Sequence, residues 1–392
     1  MIFASSLATT WPPGRPRILV ADAWLANAGD AALAIATDVM IREAVPKAAV
    51  LHAAYHSAEL APCFPQLRFT APLERLIGTP WAPPALEWAK SGPALVSGAD
   101  AVISQGGGFL MEAYQPWGRI AALATVARCG IPLAILGQTI DRFVQTRARN
   151  ELHQVMRAAA LVAGRDPPSV LNAVDLGATD VILGADLALV LFPDPPQKRT
   201  RRGVGLVLTD HHPDPDRRAQ LAEVAQRVAK TTIERSRDEV VTLWSTVQGH
   251  PELAGEDDAA LAEVVCAGLS PTQRARVKVI EGYVSPEKAI ALVGGSRALV
   301  SMRMHPALFA AALDTPFSLV LGGQKAEVLS GSSLRDHVVD PVDQPAVDRA
   351  VVSLIGSESG SGQWMALAPL RLRLRDVQSR LTDFLHGLPS AR

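Results

Sequence analysis

The chain has 392 residues, 48% of them hydrophobic, which is material for two ordinary domains and more than one compact core usually holds. With 38 basic against 39 acidic residues the formal charge is -1, which gives no support for a dedicated nucleic-acid surface. Its three cysteines, Cys63, Cys129 and Cys266, lie far apart with no C-x-x-C pair. That excludes a disulfide framework and a zinc knuckle, and it suits a reducing cytoplasm.

The opening "MIFASSLATTWPPGRPR" has neither a cationic start nor a long apolar core, so no signal peptide is expected. No uninterrupted run of about 18 apolar residues offers a membrane span. Contact with a membrane surface stays open.

Short Val/Ile/Leu-rich runs then alternate with Ala-rich helical stretches. Strands are expected at 17–23, 49–55, 101–104, 132–137, 161–164 and 180–184. They are continuously apolar rather than alternating, as strands of a parallel sheet buried on both faces are. The βαβα order predicts a doubly wound α/β domain. "NAGD" (27–30) follows the first strand and opens the first helix; Asp30 is read as a helix cap or as a contact to a substrate hydroxyl, capping being the commoner use. "GGG" (106–108) follows the third strand, where glycines serve a tight turn or a close approach of backbone to a ligand. Arg165 stands just after the strand at 161–164.

Prolines and charge replace apolar periodicity in "PDPPQKRTRR" (193–202), which reads as a solvated linker. The pattern restarts at Gly203, with strands expected at 203–209, 239–245, 277–282, 298–301, 316–322 and 337–340. This predicts a second α/β domain. "HHPDPD" (211–216) has metal-capable side chains but reads as an exposed loop. "GSESGSG" (356–362) reads as a flexible break, followed by an amphipathic helix over about 364–386. Expected domains are therefore 1–196 and 203–340, with a helical segment over 341–392.

The stretch "SMRMHPALFAAALDTPF" (301–317) leaves a strand through Ser301, Arg303 and His305 and enters a helix with Pro306 in its first turn. His305 is expected at or beside the N-cap. Ligands bind at that edge of parallel sheets, and a helix N-terminus favours anions. In extended backbone Arg303 and His305 would point to one side. The alternative is an arginine paired with an internal carboxylate and a histidine satisfied by backbone. Lys325 follows the next strand. Arg165, Arg303, His305 and Lys325 can thus all lie on sheet C-terminal edges and suit a small ligand with more than one negative charge. Trp24, Trp117 and Trp244 offer faces for a sugar, although core packing is the commoner use of tryptophan.

Together "NAGDAAL", "ISQGGG", "LGQTI", "GRDPPS", "GADLAL", "EGYVSPEKAIALV", the S-x-R-x-H stretch and "GGQKAEVL" resemble the polysaccharide pyruvyl transferase family. The likeness runs from the first strand to about residue 330. It implies a GT-B-like α/β fold of two facing Rossmann-like domains with mainly parallel sheets. It also implies transfer of the pyruvyl group of phosphoenolpyruvate to a sugar of a glycan or glycolipid, usually as a cyclic ketal. The first domain would then be the acceptor side and the second the donor side. On the matching positions, the resemblance puts phosphoenolpyruvate on Arg165, Ser301, Arg303, His305 and Lys325. His305 and Arg303 would carry the chemistry, with Asp30 as a candidate for activating a hydroxyl. Asn27, Gly29, Gly107, Gly108 and Gln138 are candidate acceptor or loop contacts. No metal and no cofactor beyond the co-substrate is expected, nor any nucleic-acid partner. The expected place is the cytoplasm, with the inner membrane surface as an option. A GT-B glycosyltransferase using a nucleotide sugar is the competing reading, and a non-catalytic glycan-assembly partner a second.

Overall fold

The computed structural model describes residues 7–79, 91–212, 214–247, 258–329, 331–356 and 362–389. Contacts divide the chain into two compact units. The first comprises Met1–Leu25, Asp30–Val190 and Leu370–Arg392; the second comprises Ala26–Gly29 and Leu191–Pro369.

The first unit is built on β1 (Arg17–Trp24), β2 (Ala49–Tyr55), β3 (Phe69–Thr70), β4 (Ala101–Ser104), β5 (Gly107–Leu110), β6 (Leu133–Ile140), β7 (Ala159–Gly164) and β8 (Val181–Leu183). Their order is β3-β2-β1-β4-β6-β7-β8, with β5 beside the end of β6 and every pairing parallel. Every residue of β6 is buried, which is why its sequence does not alternate. It runs past the expected end at 137, because Gln138 and Thr139 are polar yet fully enclosed. Apolar patterning marks neither β3, only two residues long, nor β5, which opens on Gly107 at φ 142. A Cβ there would stand 2.5 Å from the Phe109 ring, so glycine is required for the turn.

The second unit holds β9 (Val204–Val207), β10 (Val241–Trp244), β11 (Val277–Val279), β12 (Ala298–Ser301), β13 (Phe317–Val320) and β14 (Val338–Val339). All pairings are again parallel, in the order β11-β10-β9-β12-β13-β14. In each sheet the order reverses beside the first strand, between β1 and β4 and between β9 and β12. Chains leaving such neighbours diverge to opposite faces and leave a crevice at the strands' C-terminal edge.

The stretch 193–202 is less solvated than its composition predicts. Arg201 donates from both terminal nitrogens, at 2.6 Å each, to the carbonyls of Leu313 and Asp314. Those carbonyls close the helix Met304–Ala312, where a cation also meets the negative end of the helix dipole. Beyond residue 340 the chain divides. The helix Gln344–Gly356 buries Val347, Val351 and Ile355 in the second unit's core. The helix Ala368–His386 returns to the first unit, with Leu370, Leu374, Val377, Leu381 and Leu385 on its buried stripe. There Gln378 donates to the Met40 carbonyl and Arg380 pairs with Asp180. Most of the glycine-serine break expected at 356–362 lies outside the described residues.

Candidate functional site

Ser301 is the last residue of β12 and stands opposite Val207 of β9, at the second sheet's crevice. Its hydroxyl donates to the Arg303 carbonyl at 2.6 Å and accepts the Arg303 N–H at 3.1 Å. This local turn lets the helix start at Met304, with Arg303 as extended N-cap at φ -114, ψ 138. The expectation that His305 stands at or beside the N-cap is therefore corrected: Arg303 is the N-cap, and His305 and Pro306 are the helix's second and third residues. Pro306 remains harmless there, because its N–H would be among the helix's four orphan donors. The alternation rule for extended backbone no longer applies to Arg303 and His305. Every residue of this helix is buried, which explains its lack of a polar face.

Arg303 forms a fork with Asp258, Nε to Oδ2 at 3.0 Å and Nη2 to Oδ1 at 2.7 Å. The Asp258 side chain is 1% exposed and that of Arg303 14%. Burial raises the Asp258 carboxyl above its ordinary range, against the pull of Arg303 and the Thr209 hydroxyl. By sequence alone Arg303 can serve either a ligand or an internal carboxylate. The structure shows the internal pair. Asp258 was not foreseen; it lies 45 residues away in the chain, and no local pattern marks it.

His305 is 8% exposed and its ring centre lies 6.2 Å from that of Phe309, one helical turn on. The segment Ala26–Gly29 is part of the same unit. Ala28 N–H donates to the Thr246 carbonyl, and Asn27 bridges to Val247. The Asn27 side chain accepts the Gly29 N–H at 2.9 Å and so caps the helix Ala28–Ala44. Asp30, expected as the cap, sits instead inside the first turn. Gly29 lies flush on the imidazole: a Cβ would come within 2.0 Å of His305 Nδ1 and 2.7 Å of His305 Cβ. Gly29→Ala must therefore displace the whole ring. It is expected to lower the melting temperature and to cut turnover at least about ten-fold, measured on the purified variant.

Lys325 follows β13 in the 3-10 turn Gln324–Leu329 and is half-buried. Ser301, Arg303 and Lys325 thus leave one edge of one sheet, and His305 sits in the first turn just beyond it. Arg165 belongs to the first unit, at the end of β7 and 2% exposed. Its Nη1 donates to Asp186 at 3.1 Å, and Nε and Nη2 donate to Thr139 Oγ1. It is an internal strut there. Gln138 is equally internal. It donates to Ser104 Oγ and the Gln105 carbonyl and accepts the Phe109 N–H, bracing the turn that contains Gly107 and Gly108. Among the described residues no group of three or more His, Cys, Asp or Glu side chains could hold a metal ion. Asp214, in the metal-capable loop, caps the helix Pro215–Arg235.

The family model for polysaccharide pyruvyl transferase matches residues 27–321, from the asparagine of "NAGD" to the residue after β13. The chain belongs to the polysaccharide pyruvyl transferase family. The match contains the Ser301, Arg303 and His305 turn and ends four residues before Lys325. No curated protein matches the sequence. Among solved structures, this chain is similar to S. aureus MnaA in complex with UDP, at TM-score 0.61 and 10% identity, over 96% of this chain and 99% of the other. It is also similar to Anabaena Alr3699/HepE in complex with UDP and glucose, at TM-score 0.58 and 13% identity, over 95% and 100%. A third is the UDP-GlcNAc 2-epimerase of Methanocaldococcus jannaschii, at TM-score 0.56 and 10% identity, over 93% and 99%. These likenesses show the fold alone. It is the GT-B-like α/β class that the family resemblance implied, with two parallel sheets. No helix among the described residues is long and apolar enough to cross a membrane.

Proposed function

We propose that this pyruvyl transferase takes its pyruvyl group from phosphoenolpyruvate and sets it on two hydroxyls of one sugar in a glycan or glycolipid, as a cyclic ketal. In the net reaction both hydroxyl oxygens bond to C2 of the pyruvyl group and the C2–O bond to phosphate breaks. One hydroxyl proton ends on C3, turning the methylene into a methyl, and the other leaves with phosphate. The atoms balance without an oxidant, a reductant or a metal.

The observation that carries this reading is the Ser301–Arg303–His305 turn. It ends a central parallel strand and opens a buried helix, within the segment that the family model matches. A helix N-terminus offers N–H donors to an anion, Arg303 and Lys325 add cationic charge, and phosphoenolpyruvate carries a carboxylate and a phosphate. His305 is the side chain of this group suited to general acid–base work on the transferred proton. Asp30, one residue after Gly29, is our candidate for taking a hydroxyl proton.

Titration calorimetry tests the donor. Phosphoenolpyruvate is expected to bind and UDP-glucose not to. Lys325→Ala should weaken phosphoenolpyruvate by about five-fold or more with an unchanged melting curve, the loss of one charge-assisted contact. Binding of UDP-glucose in place of phosphoenolpyruvate would turn the reading toward a glycosyltransferase. An unchanged affinity in Lys325→Ala would remove that residue from the site.

A further inference from the structure

The first unit carries a second constellation, at its own crevice between β1 and β4. The pairing of β1 with β2 shifts register between Val20 and Ala23, and within that bulge Asp22 adopts φ 72. Bulges re-aim a side chain, and a left-handed non-glycine residue is strained unless its surroundings hold it. Asp22 is held: Ser104 Oγ donates to its Oδ2 at 2.6 Å, and Arg119 Nε stands 3.6 Å from its Oδ1. Arg119 comes from the helix Trp117–Arg128, and its guanidinium lies 4.7 Å from the centre of the Phe109 ring, 4.8 Å from Tyr55 and 5.8 Å from Trp24. Its Nε is buried and makes no hydrogen bond. Glu74, in the helix Leu73–Ile77 after β3, is a second enclosed carboxylate, 6% exposed. Above these groups opens a cavity of about 330 Å³, lined among others by Tyr55, Glu74, Tyr114, Trp117 and Arg119.

Two enclosed carboxylates here stand beside the Arg119 guanidinium, with Arg75 also attracting Glu74. Burial pushes both Asp22 and Glu74 above the ordinary carboxylate range, and Arg119 opposes it at each. Such an excess of buried acid is costly to the fold unless something donates hydrogen bonds to it. In the lining a charged ligand of either sign would meet a like charge, Glu74 for an anion and Arg119 for a cation. A neutral polyol meets neither difficulty. The aromatic side chains add a requirement for an apolar face. Hydroxyl donors on a rim around a C–H face describe a pyranose ring, and the volume lies at the small-ligand end of the usual range.

We propose that this cavity holds a neutral hexopyranose of the acceptor glycan, its hydroxyls donating to Glu74 and its C–H face lying against the Tyr114 and Trp117 side chains. The proposal rests on the acceptor half of the function proposed above and is independent of the donor. Of the three tryptophans that offer a sugar face by sequence, Trp244 is core at 1% exposure, whereas Trp117 lines this cavity.

Saturation-transfer NMR on the full chain, without phosphoenolpyruvate, tests it. The probes are the methyl glycosides of glucose, galactose, mannose and N-acetylglucosamine at about 20 mM, above the millimolar dissociation constants of weak ligands. At least one glycoside is expected to bind. Glu74→Gln should weaken it about five-fold or more while melting at or above the wild-type temperature, since it removes a buried acid and keeps the shape. A merely structural Glu74 would leave binding unmoved. Should Glu74→Gln fail to fold, Tyr114→Ala carries the same test, with a similar loss expected from the missing aromatic face. No binding by any glycoside, or wild-type affinity in the folded variant, overturns the proposal. Sugar binding together with no phosphoenolpyruvate binding would instead sink the donor reading and leave this one standing.

Discussion

Arg303→Ala is expected to weaken phosphoenolpyruvate binding at least about ten-fold and to destabilise the fold by about 3–5 kcal/mol. The two losses have different origins. Binding suffers because a guanidinium beside a helix N-terminus no longer meets the ligand. Stability suffers because Asp258, whose side chain is 1% exposed, loses the fork that balances it. Breaking a buried pair from one side leaves an uncompensated charge, which costs more than the pair itself contributes. Asp258→Asn separates the two. It keeps a hydrogen-bond acceptor for Arg303 and removes the acid that burial disfavours. The stability loss should be smaller, and donor affinity should fall only as far as Arg303 loses its aim. Arg303→Lys should restore neither fully, because lysine lacks the planar fork. Denaturant melts and calorimetry on the three variants check this, and wild-type stability in Arg303→Ala would contradict the structural half.

His305→Gln is expected to keep the helix start and much of the donor affinity while losing turnover by about 10²-fold or more. Glutamine fits the second helical position and can still donate a hydrogen bond, but it cannot take up and release a proton near neutrality. The imidazole is enclosed, 8% exposed and pressed by the Gly29 backbone, so a side chain of similar size is held in the same place. A substitution of similar size therefore separates position from proton transfer. Near-normal turnover would remove His305 as the acid. Lost binding with a proportionate loss of rate would make it a phosphate ligand only.

Both sheets were legible in the sequence because their strands are buried on two faces and read as unbroken apolar runs. β5 escaped because its glycines look like loop, and the end of β6 because Gln138 and Thr139 are polar although enclosed. The Arg303 and His305 stretch was legible as a strand end feeding a helix. Its exact start was not, since that depends on a Ser301 hydroxyl bridging two residues of backbone. Contacts distant in the chain were not legible at all: the Asp258 fork, the Gly29 backbone against His305, and the closure of Arg165 on Asp186 and Thr139. Periodicity reports which face is buried; it does not report which charged groups meet once the faces are assembled. The Asn27 cap is a local case of the same limit, because Asn27 and Asp30 are both good capping residues and only the backbone path decides between them.

The most direct test of the account is transfer itself. The chain is incubated with phosphoenolpyruvate isotope-labelled in its pyruvyl carbons and with the glycan fraction of the cell that makes it. Released phosphate and label in the glycan are then measured together. The account predicts one phosphate released for each pyruvyl group gained, with C2 of the label appearing as a ketal carbon bonded to two sugar oxygens. Phosphate release without label in the glycan, or no reaction with phosphoenolpyruvate while a nucleotide sugar is consumed, would contradict it.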